Sequence, residues 1–276
     1  MPLIRELNVY PLKSGRALPR EQVRLGVTGL EWDRHWMAAG ADGVFMSQRT
    51  HPRLALIEPE IGSDILTLRA PGQAPLELPL QAQGAAVAAR VWKDSVSALD
   101  QGDAAATWLT QALGAPVRLL RVSPVLDRQA DAGFAGSISA PLSFPDGFPI
   151  LVCNAASLAH LNTRMPEPIP MERFRPNVVI EGLEPFEEDR IDSLQIGRVT
   201  LRLVKPCTRC VITSTDQRTG ERTTNPLPVL REFRFDRALL GVTFGENAVV
   251  AEGVGETLDR GAACSLVFDA QSVPSS

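Results

Sequence analysis

Two cysteines stand three positions apart in Lys205-Pro206-Cys207-Thr208-Arg209-Cys210, in a chain of 276 residues with four cysteines in all. A structural zinc site built on such a pair needs two further Cys or His ligands, and Cys153, Cys264, His35, His51 and His160 are scattered rather than paired. A redox dithiol of the thioredoxin kind needs the pair where a strand feeds a helix, because the helix N-terminus lowers the thiol pKa. Here the β-branched run that follows, Val211-Ile212-Thr213, predicts a strand instead. The C-x4-C-x2-C spacing of a plant-type two-iron cluster is absent. Three readings stay open on the residues alone. Cys207 is a single ligating thiolate, favoured by the charges of Lys205 and Arg209; or it is a partly buried structural cysteine; or it forms a sensor disulfide with Cys210.

The elements that must position this segment read as mostly β with a few helices, an α+β chain. Short alternating runs broken by Gly, Pro and Asp42-Gly43 fill the first hundred residues and predict antiparallel strands in a meander or barrel, with a hairpin turn at Asp42-Gly43. Asp103 is placed to cap a helix whose apolar residues Ala105, Leu109, Ala112 and Leu113 recur at helical spacing and which Gly114 and Pro116 stop. A strand at 117–122 follows. Residues 123–149, rich in Gly, Ala, Ser, Asp and Pro, predict a long mobile connection, which divides the chain into 1–122 and 123–270 with a tail at 271–276. Beyond it come a strand "FPILVCN", a helix "AASLAHLNTRM", strands "NVVIEG" and "LQIGRVTLRLVKPC", a helix "PVLREFR", and strands "FGENAVVAEG" and "ACSLVF".

Composition bounds the function. With 44% hydrophobic and 22% charged residues the chain has material for a substantial core. Its net charge is −4 and no run of five or six like charges is present, which argues against a nucleic-acid backbone as partner. The start "MPLIRELNVYPLKSG" lacks the apolar stretch of a signal peptide, and no later segment offers a membrane span, so a cytoplasmic protein without membrane contact is expected.

Ordered blocks then decide between the open readings of Cys207. "RFRPNVVIEG" (173–182), "KPCTRCVITSTDQRTG" (205–220) and "FGENAVV" (244–250) resemble the MOSC domain, related to the C-terminal part of molybdenum cofactor sulfurases. "VYPLKSGRAL" (9–18), "GLEWDRHWM" (29–37) and "FMSQRTHPRLALI" (45–57) resemble the β-barrel domain that precedes it in the amidoxime-reducing component family. The resemblance covers nearly the whole chain. It implies a β-barrel-like domain followed by a MOSC β-barrel domain, and a mononuclear molybdenum held by the dithiolene of a pyranopterin, the molybdopterin, and by one cysteine thiolate. Cys207 occupies the ligand and catalytic position; Cys210 matches a cysteine that the resemblance does not make a ligand.

The resemblance further implies that Lys13, Ser14, Arg34 and Arg175 contact the cofactor. Their chemistry agrees, since an ammonium, a hydroxyl and two planar donor forks suit phosphate and pterin oxygens. Asn154 reads as an N-cap, and the helix N-terminus it opens, with Ser157 in the first turn, reads as an anion site. The family often has Ser at the position of Asn154. Asn177 and Thr208 belong to the matched pocket, and Asn247 falls on a pocket position that varies. Arg49 and Asp216 lie on matched blocks without a catalytic role, Asp216 reading as an Asx-turn residue for "DQRTG". Trp32 and Trp36 are expected to pack the barrel, and Trp108 the helix core.

The activity this implies is reduction of small N-oxygenated compounds: amidoximes, hydroxylamines, N-hydroxylated bases or N-oxides. Turnover consumes two protons, for which His51 is a candidate donor on chemistry alone, as is ordered water. Some bacterial relatives continue into a ferredoxin module whose cysteine set this chain lacks, so a separate electron-transfer protein is expected as partner. The competing reading is a non-catalytic carrier of molybdenum cofactor or sulfur.

Overall fold

Along Ile65–Arg69, Leu66 and Leu68 are buried while Ile65 and Arg69 face solvent, the period of two that a half-buried strand requires. Such segments dominate the chain. The computed structural model describes residues 1–269, and the tail assigned to 271–276 lies outside them. The architecture is mostly β with a few helices, as the sequence implies.

The largest sheet runs, in spatial order, through Ser265–Phe268, Ile191–Ile196, Val199–Thr208, Gly241–Glu252, Ile150–Asn154, Val178–Glu181, Leu3–Val9 and Leu18–Arg20, with Phe235–Asp236 paired to the side of Gly241–Glu252. A four-stranded sheet joins Trp36–Ala39, Arg118–Val122, Asp94–Asp100 and Ala85–Val91. Glu58–Ile61, Ile65–Arg69 and Leu76–Pro79 form a third sheet.

A division at residue 122 does not separate these sheets. Leu3–Val9 pairs with Val178–Glu181, with Leu3 opposite Glu181, and Gln22–Gly26 pairs with Thr257–Asp259. The opening residues are therefore strands of the later half's barrel, and Ile4, Leu7, Val9, Val23 and Leu25 share one core with Ile180, Leu201 and Val250.

The helix Asp103–Leu113 buries Ala105, Leu109, Ala112 and Leu113 against Leu66, Leu68 and Leu119, and Trp108 belongs to the same core. Gly114 ends it in the left-handed region at φ 72°, where a side chain would be strained. Its N-cap is Gly102, not Asp103: the Asp103 carboxylate is drawn to Arg118 at 2.6 Å, while Asp100 accepts from the Gly102 amide.

Two other expectations change. Val211–Ser214 is a single 3₁₀ turn rather than a strand. The hydroxyls of Thr213 and Ser214 donate to the carbonyls of Cys210 and Val211, at 2.9 and 2.6 Å, and these local bonds outcompete β propensity. Residues 123–149 are packed, with Ala130, Ala135, Ala140, Leu142 and Phe148 in a core with Val249, and with the buried Arg128 donating to the carbonyls of Ser143 and Pro145. The segment includes the short helix Ala132–Ala135, capped by Asp131.

Candidate cofactor site

The strand Val199–Thr208 delivers Cys207 through an irregular end. Its register against Gly241–Glu252 shifts between Leu203 and Lys205 and again between Pro206 and Thr208. Pro206 offers no N–H to the ladder, and such bulges re-aim side chains beside active sites. Across from it, Gly245 adopts φ 73°, and a Cβ there would meet Cys153 Sγ at 2.6 Å, so only glycine lets the two strands close on the buried Cys153.

Cys207 opens onto a cavity of about 360 Å³. Its wall holds Lys13, Ser14, Arg34, Arg175, Asn177, Thr208 and Asn247 from the sequence reading. Arg49, Trp92, Asp146, Phe148, Lys205, Arg209 and the second cysteine, Cys210, are among its other lining residues. Six cationic side chains and one carboxylate thus line one space, a polarity made for an anion.

The cations are held before any ligand arrives. Lys13 Nζ donates to the Phe144 carbonyl at 2.8 Å and to Asp146 at 2.5 Å. Arg34 pairs with the buried Asp33 and donates to Asn177 Oδ1 at 2.9 Å. Arg175 reaches the Gly15 carbonyl at 2.7 Å and Gln217 at 3.1 Å. Both guanidiniums lie against the Tyr10 ring, 4.4 and 4.3 Å from its centroid. Burial drives the Lys13 pKa below its ordinary value and that of Arg175 down to about 10, with Arg34 adding to the second shift. Burial would raise the Asp146 pKa, but Lys13 foremost, then Arg49 and Trp92, hold it well below the usual carboxylate range, although the side chain is half-exposed.

Ser14, Arg34 and Arg175 share a further property: all three have positive φ, at 67°, 51° and 57°. Left-handed backbone at a non-glycine residue costs on the order of 1 kcal/mol and marks segments shaped for a ligand. The Arg49 Nη1 group is buried with no acceptor among the described residues. An incoming phosphate would relieve the depressed cations and supply that acceptor. The donor set therefore fits a pterin phosphate, with Cys207 as the one thiol on the cavity wall that also carries a cationic hydrogen bond.

Asn154 and Ser157 are corrections. Both are fully buried and absent from the cavity wall. Asn154 Oδ1 caps Ala156, as expected, but its Nδ2 donates to the Glu184 carbonyl and to Glu188, and Ser157 Oγ donates to Glu188 at 2.7 and 2.8 Å. The anion at this helix N-terminus is the protein's own Glu188 carboxylate, so the segment is structural. Burial raises the Glu188 pKa, against the hydrogen bonds of Ser157 and Asn154.

His51 also stands apart from the cavity, at the start of the 3₁₀ turn Pro52–Leu56 and 2.9 Å from Thr50 Oγ1. Asp216 accepts from the amides of Arg218 and Thr219, the expected turn. Trp92, Asp146 and Phe148 fall in none of the blocks that single out the other cavity residues. Among the described residues no group of three His, Cys, Asp or Glu side chains could hold a metal ion, and no helix is long and apolar enough to cross a membrane. All four cysteines are free.

Sequence comparisons bear on this geometry. A profile of the MOSC N-terminal beta barrel domain matches residues 1–116, and one of the MOSC domain matches residues 140–261. The chain is 34% identical over 242 residues to the Mitochondrial amidoxime reducing component 2 of Bos taurus, covering 84% of this chain and 72% of that protein. It is 32% identical over 241 residues to the Mitochondrial amidoxime-reducing component 1 of Homo sapiens, with coverages of 84% and 72%. It is also 29% identical over 293 residues to the Molybdenum cofactor sulfurase of Bos taurus, covering 99% of this chain but only 32% of that longer protein.

Proposed function

Because the chain belongs to the family that joins a MOSC N-terminal β-barrel domain to a MOSC domain, with the amidoxime reducing components among its members, we propose that it is a molybdenum-cofactor-dependent reductase of N-oxygenated compounds. The observation that carries this reading is the convergence of Cys207 with Lys13, Ser14, Arg34 and Arg175 on one cavity.

In this reading the bound molybdenum–pyranopterin supplies the oxygen-atom acceptance and two-electron redox chemistry that no side chain can. The protein's own residues do the rest. Cys207 would be the protein ligand to the metal, and Arg209, donating to Cys207 Sγ at 2.9 Å, orients the sulfur. Lys13, Ser14, Arg34 and Arg175 hold the phosphate, Asn177 fixes Arg34, and Thr208 and Asn247 close the pocket. Each turnover cleaves one N–O bond, consumes two electrons and two protons, and releases water. The electrons come from a separate electron-transfer protein.

The 29% identity to a molybdenum cofactor sulfurase over 99% of the chain supports a second reading, a non-catalytic carrier of cofactor or sulfur on Cys207. One experiment separates the two. Protein from a host that makes the cofactor is assayed for molybdenum per chain and for benzamidoxime reduction with a reduced viologen as donor. Near-stoichiometric metal and turnover, both lost in Cys207→Ala and with metal kept in Cys210→Ala, are expected. Metal without turnover would leave the carrier reading, and full turnover in Cys207→Ala would remove Cys207 as ligand.

A further inference from the structure

We infer that the cavity has a second pole built for an anionic group on the substrate, so that the preferred substrates are N-oxygenated compounds carrying a carboxylate on an aromatic body. The inference deepens the reductase reading and rests on it. It begins from Lys205, two residues before Cys207 on the same strand and, like Cys207, on the cavity wall.

Five of the six cations in the cavity wall are already committed to oxygen or sulfur acceptors: Lys13 and Arg49 to Asp146, Arg34 to Asp33, Arg175 to Gly15 and Gln217, and Arg209 to Cys207 and Phe174. Lys205 Nζ has no carboxylate and no hydrogen-bond acceptor among the described residues. It lies instead over the Phe134 ring, 4.3 Å from the centroid, and 5.9 Å from that of Phe148. The two rings meet edge to face at 6.3 Å. Phe134 is 38% exposed on the short helix Ala132–Ala135, and Phe148 lines the cavity beside Leu151.

An aromatic ring attracts an ammonium but leaves its three N–H donors unused, so this lysine is oriented without being neutralised. It shares no partner with Lys13, Arg34 or Arg175, whose charges suffice for a phosphate. Asn247, also on the cavity wall, donates from Nδ2 to the Lys205 carbonyl at 3.2 Å and so fixes the strand beneath it. The pole thus presents a positive charge over Phe134 and beside Phe148, with no acceptor among the described residues. That is complementary to a carboxylate on a flat apolar group.

The test compares benzamidoxime with 4-carboxybenzamidoxime on the holoenzyme, as a ratio of kcat/KM at low ionic strength. Wild type is expected to favour the carboxylate by about tenfold, chiefly through KM, with the ratio falling as salt is added. In Lys205→Gln the ratio should fall to about one, and Lys205→Arg should keep most of it. A wild-type ratio near one, or a preference that survives in Lys205→Gln, overturns the inference. Calorimetric titration of the same holoprotein with benzoate and benzamide reads the pole without turnover. Benzoate binding that disappears in Lys205→Gln supports the pole even if neither oxime is reduced, a result that would sink the reductase reading alone. Benzoate binding that is absent, or equal in the two proteins, overturns the pole while leaving reduction of benzamidoxime intact.

Discussion

Arg209 donates from Nη1 to the sulfur of Cys207 at 2.9 Å while its Nη2 is held by the Phe174 carbonyl at 2.5 Å. Its guanidinium also faces the Phe174 ring at 5.4 Å, and Phe174 in turn stacks on Phe244 at 3.9 Å. The cation beside the sulfur is therefore fixed by the core. Burial alone would lower the Arg209 pKa, yet the surrounding thiols, Cys207 foremost, hold it above its ordinary value.

Arg209→Met should slow alkylation of Cys207 by iodoacetamide in cofactor-free protein at neutral pH by roughly tenfold, since a charge-assisted bond to the thiolate is worth about 1.5–3 kcal/mol. Mass spectrometry of the Cys207 peptide over time reads it. An unchanged rate would separate Arg209 from thiolate stabilisation.

Ser157→Ala should lower stability by about 1–3 kcal/mol while molybdenum per chain stays at the wild-type level. The hydroxyl it removes donates to both oxygens of the fully buried Glu188. Denaturant melts of the cofactor-free protein with parallel elemental analysis check both parts. Loss of metal with unchanged stability would return Ser157 to the cofactor site.

Cofactor retention should weaken as the solution becomes alkaline. Burial lowers the pKa of Lys13 and brings that of Arg175 to about 10, so both give up the proton at a lower pH than they ordinarily would. The phosphate then loses its cations. Pterin content after dialysis at pH 7, 9 and 10 should fall across that series, and flat retention to pH 10 would place the phosphate elsewhere.

Glu246 makes a demand of the same sign on the fold. It is 4% exposed, and burial, then the nearby Asp189 and Glu188, push its pKa up to about 9. The native state keeps this proton while the unfolded chain releases it above its ordinary 4.5, so stability is greatest below 4.5 and falls as pH rises towards 9. Glu246→Gln should therefore gain stability over wild type at pH 8 relative to pH 5. Equal differences in Tm at the two pH values would show that Glu246 is ionised in the native state.

Much of this site was legible in the sequence because its residues fall in dense local motifs. Lys13-Ser14, Arg34, Arg175 with Asn177, and Cys207-Thr208 each sit in a short block whose order carries the pattern, and all reach the cavity. Asn154 and Ser157 failed for a different reason. The capping rule that singled them out is local, whereas Glu188, which takes their donors, is more than 30 residues away, and no local rule foresees it. Val211–Ser214 misled because β propensity is a weak preference that two side-chain hydroxyl bonds reverse. Trp92 and Asp146 belong to no motif, and the block that opens with Lys205 gives no sign of its aromatic neighbours. Only the packing of 123–149 against the strand Val199–Thr208 brings Phe134 to Lys205.

The placement of Leu3–Val9 beside Val178–Glu181 has a consequence for synthesis of the chain. Lys13, Ser14 and Arg34 leave the ribosome early, but the segments that complete their cavity, at Arg175, Cys207 and Asn247, follow some 140 to 230 residues later. The first strand must wait, its edges unpaired, for partners that do not yet exist. Cofactor loading is accordingly a late event in the life of a newly made molecule, and the nascent N-terminal segment is where a chaperone would be needed most.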